Sequence, residues 1–206
     1  MPSLFERIVA AHAAIRPQVL VTPLERSHGL SAATGCEVWL KCEHVQPTGS
    51  FKVRGATNKI RLLDKSALRT GVLTASSGNH GMAVARAGAL AGAQVTVCVS
   101  ASAARAKTDT IRALGAELVV LEGSPVEAEI YARRRAAEEG KVYISPYNDL
   151  DVVAGQGTAG VELFEQAPDL AAVFVAVGGG GLIAGVGTAL KALRPQTRIV
   201  GVWPEN

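Results

Sequence analysis

Apolar positions along the chain switch repeatedly between two spacings. In "LFERIVAAHAAI" (4–15) they recur every three or four residues, the mark of an amphipathic helix, and Pro17 stops it. In "EVWLKCE", "GVLTAS", "AQVTVCVS", "AELVVLE", "KVYIS", "AAVFVAV" and "RIVGV" they form short β-rich runs, the pattern of buried strands. Helices are predicted between these runs, over 51–63, 79–91, 104–115, 125–139 and 155–167, with one more ending near Leu193. Gly115 closes one of them, and Pro125 opens another at its first turn. Alternating strand and helix predicts an α/β fold, with helices on both faces of mostly parallel sheet. The last strand runs straight into "GVWPEN". A parallel strand normally continues into a crossover helix, so the chain is expected to be the N-terminal part of something longer.

Composition narrows the function classes. The 206 residues suffice for one large domain or two small ones, and a hydrophobic share of 48% implies a sizeable core. A net charge of +3, spread along the chain, argues against a nucleic-acid partner, and "RRR" at 133–135 reads as a solvated helix face. Aromatics at 4% leave no stacking platform for single strands. No apolar run reaches membrane length and no signal peptide is evident, so a cytoplasmic protein without a membrane partner is expected. Cys36, Cys42 and Cys98 form no CxxC pair, and the last two read as buried thiols. Of the four histidines, His12 and His28 are expected to be solvated, His28 in a turn, and His44 to lie in a loop; none has metal-ligand spacing.

Three segments carry candidate chemistry. In "PTGSFKVRGATNK" Lys52 stands where apolar periodicity begins, after a Gly-Ser turn. It is either a snorkelling surface lysine or an amine desolvated to attack a carbonyl. In "TASSGNHGM" a strand ends in Ser76, Ser77, Gly78, Asn79, His80 and Gly81, and a helix follows. Capping needs one small polar residue; four polar residues interspersed with two glycines suit a carboxylate held at the helix N-terminus. In "VFVAVGGGGLIAGVG" four glycines join a buried strand to a helix, so the backbone can wrap a phosphate. A rival remains open there: Gly179, Gly181 and Ala184 satisfy a relaxed dinucleotide fingerprint, with Glu205 placed as its ribose acid, implying an NAD(P)-binding oxidoreductase domain.

Together, "KCEHVQPTGSFKVRGATNK", "SSGNHG", "AGQGT" and "GGGGL", in this order, resemble pyridoxal-phosphate enzymes of the tryptophan-synthase-β fold type. The nearest resemblance is to the threonine/serine dehydratase and serine racemase branch. It implies a two-domain fold, with 1–50 and 146–206 in a larger, incomplete cofactor-binding domain and 51–145 in a smaller one. It implies that Lys52 carries pyridoxal 5'-phosphate as a Schiff base, flanked by Phe51, and removes the substrate's α-proton. Asn79 is then expected at the cofactor's 3-hydroxyl, and the amides of Gly178, Gly179, Gly180, Gly181 and Leu182 around its phosphate. Ser76, Ser77, Asn79 and His80 are expected around an amino-acid substrate.

The same resemblance implies a lyase that converts L-threonine or L-serine to a 2-oxo acid and ammonia, as a homodimer when full length. Neutral Lys52 is required, so its pKa is expected to be depressed by burial, and by Arg54 if close. Ser77 matches the racemase pattern, in which a serine hydroxyl exchanges a proton opposite the lysine. Tyr147 matches the dehydratases. A dehydratase with side racemisation is the expectation. Trp203 stands where racemase-like members carry a metal-binding glutamate, so no metal is carried over.

Overall fold

The computed structural model describes residues 1–76 and 78–205. The chain begins with helix α1 (Leu4–Ile15), capped by a reciprocal Ser3–Glu6 box. Strand β1 (Leu24–Arg26), helix α2 (His28–Thr34) and strand β2 (Trp39–Lys41) follow, with β1 and β2 pairing antiparallel. A single 3-10 turn, Glu43–Val45, leads to α3 (Lys52–Arg61) and the short α4 (Lys65–Thr70).

Next come β3 (Val72–Ala75), α5 (Asn79–Ala91), β4 (Val95–Ser100), α6 (Arg105–Ala113), β5 (Glu117–Leu121), α7 (Pro125–Glu138) and β6 (Val142–Tyr143). Their strands form one parallel sheet in the order β5-β4-β3-β6. β3 and β4 are buried along their whole length, which explains their unbroken apolar runs. Val72, Val84, Val97, Val99, Ile111 and Ile144 pack in the core of this unit.

The chain then enters α8 (Leu150–Gln166), β7 (Ala172–Ala176), α9 (Gly181–Leu193) and β8 (Arg198–Val202), with β7 and β8 paired in parallel. α3 touches both α5 and α8, so the helix that starts at Lys52 lies between the four-stranded unit and the C-terminal elements.

The α/β class and the parallel sheet match the sequence reading. Several details differ. The 28–34 region is a helix, not a turn, closed by Gly35 in the left-handed conformation at φ 69°. α8 starts at Leu150, five residues before its expected start, because the Asp149 side chain accepts from the N–H groups of Asp151 and Val152 and caps it there. Cys42 lies just past β2, buried as expected, and Cys36 is exposed.

Candidate functional site

Lys52 is the first residue of α3, and Phe51 at its N-cap makes no side-chain cap. The Lys52 Nζ donates to the Pro146 carbonyl at 2.7 Å and stands 5.2 Å from the centre of the Phe51 ring. Burial lowers the pKa of this amine. The expected contribution from Arg54 is absent. That guanidinium is fully buried and turned away into two carboxylates. Its Nε and Nη2 donate to Glu43 at 2.7 Å each, and Nη1 and Nη2 donate to Glu162 at 2.7 and 2.8 Å. Burial alone would lower the Arg54 pKa, but these bonds raise it. Glu162 also accepts from Lys41 at 2.6 Å, which leaves the cluster two cations for two anions.

The "AGQGT" segment explains how α3 is held. A methyl group on Gly155 would come within 2.5 Å of the Arg54 carbonyl oxygen and of the Gly55 Cα. The Gln156 side chain accepts from the Gly55 N–H at 3.3 Å, and Thr158 accepts from Arg54 at 3.1 Å. α8 therefore meets α3 backbone to backbone, one turn from Lys52. Glu162 and Thr158 escaped sequence reasoning because Arg54, their partner, lies 108 and 104 residues away; Glu43, 11 residues from Arg54, carries no local signal of its own.

At the C-terminal end of β3, Ser76 accepts from the Gly78 N–H at 3.3 Å. Gly78 is the N-cap of α5 and supplies no side-chain cap. Asn79 is exposed and His80 buried. The His80 Nε2 donates to the Ile144 carbonyl at 3.3 Å, and its Nδ1 is buried without a hydrogen-bond partner. Burial first, and the Lys52 charge second, push this imidazole down to about 3. Ser77 lies outside the described residues. Of the remaining histidines, His28 and His44 are exposed, whereas His12 is half-buried and bonds Glu165 at 3.2 Å, contrary to its expected solvation.

The four glycines divide into two jobs. Gly178 and Gly180 have open space where a Cβ would stand, and Gly180 sits at φ 84° as the N-cap of α9. A Cβ on Gly179 would meet the Tyr147 ring at 2.2 Å, and one on Gly181 the Tyr147 backbone at 3.0 Å. Leu182 is half-buried in the C-terminal core. No side chain caps α9, so its first N–H groups are directed to the open side of Gly180. Tyr147 lines this loop while its hydroxyl donates to Glu129 at 3.1 Å. Lys52 and the glycine loop thus meet at one short segment, Pro146–Tyr147, and the preceding strand end, Ile144, takes His80.

An uncapped helix behind a glycine cradle suits a phosphate, and a half-buried lysine with a lowered pKa suits an aldehyde; the residues present fit pyridoxal phosphate. The chain belongs to the pyridoxal-phosphate dependent enzyme family, whose model matches residues 15–206. This assignment displaces the dinucleotide reading of the glycine loop. Among its relatives is the L-threonine ammonia-lyase of Thermotoga maritima, 43% identical over 98% of this chain and 50% of its own length. The processed form of threonine deaminase isoform 2 from Solanum lycopersicum superposes with a TM-score of 0.92 at 39% identity, over 98% of this chain and 59% of that one. Maize serine racemase gives 0.91 at 38%, over 96% and 60%. The chain therefore spans about half to three fifths of the length of these proteins.

Proposed function

We propose that the full-length protein is a pyridoxal-phosphate lyase that converts L-threonine or L-serine to a 2-oxo acid and ammonia. The observation that carries it is Lys52: a half-buried amine, lowered in pKa, adjoining the segment that lines an uncapped glycine cradle. The names of the Thermotoga and Solanum relatives support the choice of substrate.

When bound, the cofactor supplies the carbonyl that captures an amine and the electron sink that acidifies the adjacent C–H. The chain's residues do the rest. Gly178 to Leu182 offer backbone N–H groups to the phosphate. Lys52 carries the cofactor and takes the α-proton at Nζ. Its lowered pKa keeps a larger neutral fraction ready for that transfer. The Pro146 carbonyl, which already accepts from Nζ, receives the ammonium once Lys52 is protonated. Asn79 is placed at the cofactor ring, and Ser76, Ser77 and the α5 N-terminus hold the substrate carboxylate. His80, neutral and bound to Ile144, shapes this loop and does not act as an acid. The units 1–50 with 146–206, and 51–145, are the proposed domains; the separate sheets of 72–143 and 172–202 support that division.

The test is the purified full-length protein with pyridoxal phosphate. It should form 2-oxobutyrate from L-threonine or pyruvate from L-serine, with equimolar ammonia, and Lys52→Ala should abolish turnover. Full activity in that variant would refute the proposal. Chiral analysis of residual serine measures side racemisation.

A further inference from the structure

Lys107 was not singled out by any sequence motif. It is the third residue of α6, in the first turn, and a methyl group on Gly78 would stand 3.6 Å from its Nζ. Gly78 is the N-cap of α5, the centre of the loop assigned above to the substrate carboxylate. Lys41, Lys59 and Lys141 each pair with a carboxylate, whereas Lys107 makes no ion pair among the described residues. Its neighbours on α6 are spent elsewhere: Arg105, Asp109 and Arg112, at i, i+4 and i+7, line a separate groove against Val99 and Val120.

Charge at this corner is one-sided. His80 is neutral, and Glu129, the acid that reaches Tyr147, is engaged by Arg133 at 2.8 Å. An uncapped helix N-terminus adds further positive potential. The loop therefore has donors and a cation but no anion of its own.

We propose that Lys107 is a substrate-binding residue, its ammonium beside Gly78 facing the carboxylate of the amino acid held at the N-terminus of α5. This deepens the functional reading above and rests on it. The glycine at 78 matters for the same reason: a side chain there would stand between the cation and the loop backbone.

The test uses the full-length holoenzyme. Binding of L-alanine, which has no β-leaving group, is followed by the change in cofactor absorption, and turnover of L-threonine is measured in parallel. Lys107→Ala and Lys107→Gln should each raise the L-alanine Kd and the L-threonine KM about tenfold, with kcat changed much less. Lys107→Arg should recover most of the affinity. L-Alaninamide, which lacks the carboxylate charge, should bind wild type and variants alike. Unchanged Kd and KM in the two neutral variants overturn the inference. So does an equal loss for L-alanine and its amide, which marks a loosened loop and not a missing charge. A wild-type protein that takes up no cofactor sinks the functional reading and this inference together; a working wild type matched by its variants sinks this inference alone.

Discussion

His80 shows how one buried side chain couples the site to pH. Its ring is enclosed, lies close enough to Lys52 to feel its charge, and is pushed down to about 3, against an ordinary histidine value near 6.5. Between those values the unfolded chain binds a proton that the fold refuses. Stability is therefore full above about pH 6.5 and falls as pH drops toward 3. Between pH 7.5 and 5.0 this residue alone should cost the apoprotein about 2 kcal/mol. His80→Gln keeps a donor for the Ile144 carbonyl but cannot titrate. Urea unfolding at both pH values should show a smaller loss in the variant than in the wild type. Parallel losses would show that His80 is accessible to protons in the native state. The local sequence left Lys52 open between a surface lysine and a reactive amine, and the order of the four motifs singled it out. His80's burial was not legible, since the Ile144 carbonyl that receives it is 64 residues away.

At the scale of elements, the contact of α3 with α8 fixes where Lys52 points. Two glycines let the backbones meet, and Arg54 closes the gap to Glu43 and Glu162 with two-pronged bonds on either side. Breaking such a buried cluster leaves charges without partners. Arg54→Met should destabilise the protein by about 3–5 kcal/mol, read as a lower denaturation midpoint. Replacing all four charged residues, Arg54, Lys41, Glu43 and Glu162, by apolar ones of similar volume should cost less than Arg54→Met alone. A milder single than quadruple variant would contradict this. Gly155→Ala should cost about 1–3 kcal/mol by forcing the helices apart. The elements themselves were unevenly legible. β3, β4 and β7 announce themselves by apolar runs, and α7 by Pro125. β1, three residues long and largely exposed, carries no alternation long enough to read, whereas β2 falls inside the run "EVWLKCE". The Arg54 cluster joins four separate segments, and no local pattern could assemble it.

At the scale of the whole molecule, the β7–β8 pair is the unfinished part. Val175 points inward to α8 and α9, and the alternate positions point the other way: Phe174 is 71% exposed and Val202 52%, whereas the Trp203 ring lies beside Gly201 on the inner side. Parallel sheets almost always have both faces covered, so this bare face is out of place on a finished fold. The curated and solved relatives are longer by enough to supply a cover. Two consequences follow for these 206 residues produced alone. The exposed apolar face should bind an apolar dye and drive self-association, seen as concentration-dependent sedimentation. The chain should also turn over L-threonine weakly or not at all, because the glycine cradle hangs on β7, whose outer face is unsupported. Phe174→Ser with Val202→Ser should reduce dye binding and association without restoring activity, since polarity removes the stickiness but does not rebuild a covering layer. In the full-length protein the same pair should instead weaken folding, because the two side chains would then be buried. A monomeric, dye-silent and fully active 206-residue chain would show that two strands suffice to hold the cradle in place.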